Sequence, residues 1–352
     1  MIADGAATFS GLIDLAAANL GGRALGASDE FFAEAANLIQ PGRGVFVEGK
    51  FTERGKWMDG WESRRRTAEP DHDWCVLALG APGEVVGFDV DTNHFLGNHP
   101  PFASIEGAWA PDATLAALSA PTTTWSELLP QAPLRPGAQN LFAAVPRGPV
   151  THVRLRIFPD GGVARLRVFG RVTAPARREA PDAEAAGHVQ PGRIDLAAVK
   201  NGGLALACSD AFFGPMNNLL LPGRADDMGG GWETRRRRGA GHDWILLKLA
   251  APGAPEVVEV DTNHFKGNHP ERCSLDAIDA PDGARITELV AASPAAVPAL
   301  AGWYPLLNET KLAAHHRHFF TAEGGGRRAT HVRLNIFPDG GVSRLRLWGR
   351  LA

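Results

Sequence analysis

The clearest pattern along the chain is alternation with period two. Thr151-His152-Val153-Arg154-Leu155-Arg156-Ile157 alternates polar and apolar residues, Phe158-Pro159-Asp160-Gly161-Gly162 supplies turn chemistry, and Val163-Ala164-Arg165-Leu166-Arg167-Val168 alternates again. Successive side chains of a strand point to opposite faces, so this pattern predicts a hairpin with one buried face. Val85–Phe95 reads as a strand with Phe88, Val90 and Thr92 on one face and Asp89, Asp91 and Asn93 on the other. His72–Leu79 and His242–Leu249 read as shorter apolar strands. Helical patterning is confined to Ser28–Leu38, started by Ser or Asp as N-cap, and to Ala113–Leu118 and Thr124–Leu129. Short strands between many turns, in a chain with 41 Gly and 26 Pro, predict a β-sandwich.

Self-comparison shows that the pattern occurs twice. Ile13-Asp14-Leu15-Ala16-Ala17 recurs as Ile194–Ala198, and Pro41-Gly42-Arg43 as Pro222-Gly223-Arg224. Trp61-Glu62 recurs as Trp232-Glu233, His72-Asp73-Trp74 as His242-Asp243-Trp244, and Asp91-Thr92-Asn93-His94-Phe95 as Asp261–Phe265. Thr151–Arg171 and Thr330–Arg350 share 17 of 21 residues. The first copy carries ten extra residues within Gly44–Gly60. The predicted organisation is therefore a first domain over 1–172, a Pro-, Ala- and charge-rich linker over 173–192, and a second domain over 193–352.

Composition narrows the function. With 44% hydrophobic and 21% charged residues the chain is globular. A net charge of −3 gives no footprint for nucleic acid. Prolines interrupt the longest uncharged run, Leu289–Asn308, which argues against a membrane span, and the N-terminus lacks the pattern of a secretory signal. Cys75, Cys208 and Cys273 form neither a disulfide framework nor a thiolate metal site, so reduced thiols and a cytoplasmic location are expected. No GxSxG, HExxH, P-loop or dinucleotide fingerprint is present.

Three constellations carry chemistry. Asp91–Pro100 packs a carboxylate, two amides and the imidazoles of His94 and His99 into ten residues, enough for proton transfer, polar-ligand binding or a metal. The competing reading is that Asp91 and Asn93 satisfy turn backbone while the histidines pack or face water. Trp61-Glu62-Ser63-Arg64-Arg65-Arg66 offers an Arg fork for a carboxylate, or else a solvated charge run. The face formed by His152, Arg154, Arg156, Arg165 and Arg167 needs acids or an anionic ligand to neutralise it.

Taken in order, Gly55-Lys56-Trp57-Met58-Asp59-Gly60-Trp61-Glu62-Ser63-Arg64-Arg65, His72-Asp73-Trp74, Asp91–Phe95 with Gly97-Asn98, and Pro159-Asp160-Gly161-Gly162 resemble the allantoicase family over nearly the whole chain. One departure is Thr67-Ala68-Glu69-Pro70-Asp71, where the second copy has the basic, glycine-containing Arg238-Gly239-Ala240-Gly241. The resemblance implies an all-β fold of two tandem jelly-roll (galactose-binding-like) sandwiches. It also implies a hydrolase of purine and allantoin catabolism that converts allantoate to ureidoglycolate and urea. On that substrate the expected catalytic residues are His94, His99, Asp91 and Glu62. The expected substrate-binding residues are Arg64, Asn98, Lys56, Asp59, Arg154, His264 and Asn268. No resident cofactor is expected and a divalent metal is left open. The expected partner is the small-molecule substrate, with no nucleic acid and no membrane, and the expected assembly a homo-oligomer. The alternative is a carbohydrate- or small-ligand-binding jelly roll without catalysis, since a shared sandwich does not fix function.

Overall fold

The computed structural model describes all residues except 1–8, 10, 11, 68, 70, 174–179, 281, 282, 294, 295, 297–299 and 325. The chain divides into two compact units, Met1–Thr173 and Ala174–Ala352. The first contains β1 (Ile13–Asp14), β2 (Arg23–Ala27), β3 (Phe51–Thr52), β4 (Gly55–Lys56), β5 (Trp61–Glu62), β6 (Asp73–Asp91), β7 (Phe102–Ala108), the short helix α1 (Leu115–Leu118), β8 (Ser126–Pro133), β9 (Leu141–Ala143), β10 (Pro149–Phe158), β11 (Gly162–Val163) and β12 (Arg165–Val172).

β6 organises this unit. Its 19 residues join the two strands expected from the sequence into one. The first half, to Ala78, pairs with β2 and β10, whereas the second half, from Gly83, pairs with β12 and β9 and keeps β10 only at Gly83 and Glu84. Between them the chain changes partners at Leu79–Pro82. There Gly83 passes so close to β12 that a Cβ would lie 2.6 Å from the Arg171 carbonyl oxygen. The eight-stranded sheet thus folds over on itself. Cys75 and Leu77 from one half of β6 share a single core with Phe88 and Val90 from the other, joined by Leu155, Ile157, Leu166 and Val168. This is the layered solution for strands that are apolar on one face.

The structure corrects the predicted hairpin. β10 and β12 do not pair with each other, because both pair with β6. Alternation specifies a buried face and is silent about partners. Thr124–Leu129, expected as a helix, falls largely in β8, where Leu129 pairs with Ile105 of β7 and both are buried. Ser28–Leu38 yields only a 3-10 segment, Ala35–Ile39, flanked by Glu34 and not by the expected Ser or Asp cap. Asp29 instead accepts from the Phe31 N–H and binds Arg64. Ala113–Leu118 does hold a helix, α1, capped by the Thr114 hydroxyl.

The second unit repeats this order with β13 (Ile194–Asp195), β14 (Leu204–Cys208), β15 (Trp232–Glu233), β16 (Asp243–Asp261), β17 (Arg272–Ile278), α2 (Gly283–Ala292), β18 (Tyr304–Lys311), β19 (Arg317–Thr321), β20 (Ala329–Phe337), β21 (Gly341–Val342) and β22 (Arg344–Leu351). Among the described residues it has no counterpart of the β3–β4 hairpin. The segment read as a linker is partly structured. Ala185 and Val189 are buried against Trp348, and Asp182 and Glu184 both pair with Arg317 at 3.0 Å. All three cysteines are free, and burial raises each thiol above its ordinary range, which keeps them protonated and unreactive. No described helix is long and apolar enough to cross a membrane.

One difference between the copies has a measurable consequence. In the second unit Glu259 is neutralised by Arg317 at 2.7 Å and accepts from the Trp348 indole. At the equivalent positions the first unit has Asp89, Gln139 and Phe169. Asp89 is buried, accepts from Gln139 at 2.6 Å and has an Oδ1 without a hydrogen-bond partner. Burial pushes its carboxyl up to about 6, and the nearby Asp91 charge adds to the rise. Because the folded pKa exceeds the unfolded one, folding stability is lost as pH rises through about 6. The wild-type chain should lose on the order of 2 kcal/mol through this group between about pH 4 and pH 7. Asp89→Asn should remove that component, read as a smaller fall in urea midpoint between the two pH values. An unchanged pH dependence in the variant would refute the assignment.

Candidate functional site

The site is built where the short β5–β11 ladder closes one end of the first sandwich. Trp61 is fully buried, and its indole N–H donates to the Asp29 carbonyl at 2.8 Å. The next residue, Glu62, is thereby turned outward. Its backbone is fixed by pairing with Gly162 on one side and bridging Ala33 on the other. The Asn98 side chain donates to Glu62 Oε1 at 2.7 Å, and the Asn98 carbonyl is held by the Gly162 N–H at 2.8 Å. His99 follows, with Nδ1 buried and unpartnered. Burial raises the Glu62 carboxyl above its usual range, against the opposing hydrogen bond from Asn98. Beside this group, the Arg66 N–H donates to Asp160 at 2.7 Å and its guanidinium pairs with Asp73 at 3.1 Å.

Gly161 ties these pieces together. It has φ 134°, and a Cβ there would lie 2.5 Å from the Asn98 carbonyl oxygen. Its carbonyl accepts from the Ser63 N–H, and its own N–H donates to the Ser63 hydroxyl. The Pro-Asp-Gly-Gly turn therefore sets both the strand bearing Glu62 and the loop bearing Asn98.

The extra segment of the first copy forms a second cluster. Its ends are pinned: the Asn93 amide donates to the Gly44 carbonyl and the Asn37 amide to the Gly60 carbonyl. Between them, Phe46 lies 5.7 Å from the His94 ring, and Lys56 sits over the Phe46 ring at 4.4 Å. Asp59 accepts from the Val45 N–H and pairs with Arg165 at 2.8 Å. Burial opposes ionisation, but these contacts hold its carboxyl below the usual range. The β3–β4 hairpin rests on the residues flanking Glu62. Arg54 donates to the Phe31 carbonyl at 3.1 Å, and a Cβ on Gly55 would lie 3.8 Å from the Phe32 ring.

The structure thus brings Glu62, Asn98 and His99 to one place, and His94, Lys56 and Asp59 to another. The remaining expected residues have other engagements. Asp91 is buried in a bidentate pair with Arg43, at 2.8 and 2.9 Å, and also accepts from the Asn93 N–H, the turn role that its sequence context allowed. Arg64 pairs with Asp29 at 2.6 Å. Arg154 pairs with Glu106 at 2.6 Å and stacks on Trp125. The basic face of β10 and β12 is neutralised throughout, with Arg156 on Glu106, Arg165 on Asp59 and Arg167 on Asp14. In the second unit His264 contacts the Ala225 carbonyl and donates its backbone N–H to His315, while Asn268 is hydrogen-bonded to Glu233.

That second unit has an open cleft of about 590 Å³ over the same constellation, lined by Glu233, Arg236, Arg237, Asn268, His269 and Asp339, with Glu271 and Lys311 added. Sequence reasoning assigned no site role to Arg43, Asp160, Glu271 or Lys311. The recurrence of Pro-Gly-Arg held the signal for Arg43, because Arg224 grips Asp261 in the same way. Nothing in the local sequence marks Lys311, which reaches the cleft by strand register.

Comparison with known proteins places the chain in a family. A family model described as the allantoicase repeat matches residues 13–173 and again 194–352. A probable allantoicase of Pseudomonas paraeruginosa is 47% identical, with 98% of this chain and 97% of that protein covered. An allantoicase of Dictyostelium discoideum is 43% identical, with 95% and 86% covered. The crystal structure of allantoicase from Saccharomyces cerevisiae superposes with a TM-score of 0.78 at 34% identity, covering 96% of this chain and 93% of that one. With both repeats matched, an all-β tandem jelly-roll fold and similarity along nearly its full length, the chain belongs to the allantoicase family.

Proposed function

We propose that the reaction of this family, hydrolysis of allantoate to ureidoglycolate and urea, is carried out in this chain at the Glu62–Asn98–His99 cluster of the first repeat. The observation that carries the reading is a half-buried carboxylate, raised in pKa, hydrogen-bonded to an amide and followed by an imidazole with a buried unpartnered nitrogen.

Allantoate presents one carboxylate and two ureido groups on a single carbon. Glu62 and Asn98 supply acceptors and donors for a ureido group, and Arg65 is the cation for the carboxylate. Arg65 takes this place from Arg64, which Asp29 occupies. Its counterpart Arg236 lines the open cleft of the second unit. An Arg fork suits a carboxylate because two N–H groups match its two oxygens. In the reaction Glu62 takes a proton from water, the oxygen bonds to the central carbon as the C–N bond breaks, and His99 delivers a proton to the departing urea nitrogen. Solvent then returns the proton from Glu62 to His99. A carboxylate whose pKa is raised is a stronger base than a free one.

The β3–β4 hairpin favours the first repeat, since it packs on Phe31 and Phe32, which adjoin Glu62 through the Phe32 N–H, and added cover lowers the local dielectric in which these charges act. The reading includes a cytoplasmic homo-oligomer that works without a resident cofactor. Release of urea and ureidoglycolate from allantoate in equal amounts, by purified protein with and without EDTA, is the direct test. Both products are expected in both arms. Loss in the EDTA arm, restored by a divalent cation, would replace the metal-free step, and binding without release would favour a non-catalytic module.

A further inference from the structure

The cleft of the second repeat is not a copy of the first. One observation is shared between them and two separate them. First, the recognition pair is retained as Glu233 and Asn268, and two buried nitrogens in the wall, His269 Nδ1 (like His99 Nδ1 in the first repeat) and Arg237 Nε, have no hydrogen-bond partner. Second, strand register places Lys311 opposite Arg272 where the first repeat has Pro133 opposite Phe102, and Glu271 stands where Pro101 does. This adds one cation and one carboxylate to the lining. The side chains of Lys311 and Arg236 make no ion pair or hydrogen bond among the described residues, so both cations are available to an anion. Third, the cover is missing. Phe31 and Phe32 are 39% and 36% exposed beneath the β3–β4 hairpin, while their counterparts Phe212 and Phe213 are 61% and 60% exposed.

We infer that the second cleft is a separate binding site for small ureido carboxylates, which it holds without cleaving. The ligand carboxylate sits between Lys311 and Arg236, and its ureido N–H groups face Glu233 and Glu271. Charge-assisted hydrogen bonds of this kind supply affinity in a wet cleft. Turnover asks for more, because the general base, its one attacking water and the leaving group must act where bulk solvent is excluded. This inference rests on placing catalysis in the first repeat.

The test is calorimetric titration of full-length Glu62→Gln protein with allantoate, alongside urea release by the same protein. Two molecules bound per chain, with release at least about 10²-fold slower than wild type, is the expected result. Adding Lys311→Ala should weaken one of the two sites about tenfold or more, and Arg236→Ala should act on the same site. Lys311 and Arg236 are exposed, so neither change removes core packing. One molecule bound per chain with release abolished would overturn the second site alone, as would two sites indifferent to both variants. Undiminished release by Glu62→Gln would overturn the assignment of chemistry to the first repeat, and this inference with it.

Discussion

Glu62→Gln is expected to lower kcat for allantoate by roughly 10²–10⁴-fold, the range for removing a positioned general base. The substitution keeps the shape of the side chain and an oxygen to accept from Asn98, so folding and KM should change little. What it removes is the proton-accepting carboxylate. The pH profile separates this from a structural defect. In the wild-type chain, burial lifts the Glu62 carboxyl above the usual carboxylate range, with the Asn98 hydrogen bond working against it. Activity should therefore fall as pH decreases, along a limb displaced upward from that of an exposed glutamate. The residual activity of the Gln variant should lack that limb. A variant with near wild-type kcat, or one retaining the limb, would move the base elsewhere, first to the cluster at His94 and Asp59.

Gly161→Ala should damage stability and catalysis together. At φ 134° an alanine is strained whatever space it has, and here the methyl would meet the Asn98 carbonyl oxygen at 2.5 Å and the Pro100 nitrogen at 2.9 Å. Both obstacles are backbone, so relief requires the Asn98–Pro100 stretch to move. That movement withdraws Asn98 from Glu62. The expected cost is about 2–4 kcal/mol, read as a lowered urea midpoint. Well below its midpoint the folded variant should still show kcat reduced by about tenfold or more, because a misplacement of about 1 Å is enough to lose such a factor. A variant destabilised but fully active would show that Asn98 is not needed where it stands.

The sequence carried the duplication and the sandwich class, since both rest on local pattern or on strings that occur twice, and it named Glu62 and Asn98 separately without joining them, because they lie 36 residues apart. It misread what depends on distant partners. Thr124–Leu129 has a helical look, yet β7 claims it as a strand through Ile105 and Leu129. The arms around Pro159 look like a hairpin until β6 is seen between them. Arg64 and Arg154 suit a carboxylate by residue type, and the sequence does not show the partners they have in the fold. Each is occupied by an acid lying 35 or 48 residues away in sequence, Asp29 or Glu106, which no local window connects. Lys311 is the converse case: it stands at the end of an unremarkable strand and acquires meaning only from what surrounds its tip.

The clasp around Arg317 sets where the chain can be divided. The sequence repeat begins again at Ile194. Arg317, however, draws two of its three carboxylate partners, Asp182 and Glu184, from upstream of that point, and Ala185 and Val189 lie against Trp348. A fragment cut at the repeat boundary would leave that guanidinium with Glu259 alone and uncover an apolar face. The piece of polypeptide that keeps its surface intact starts before Asp182, so the unit of inheritance in this duplication and the unit of excision differ by a dozen residues.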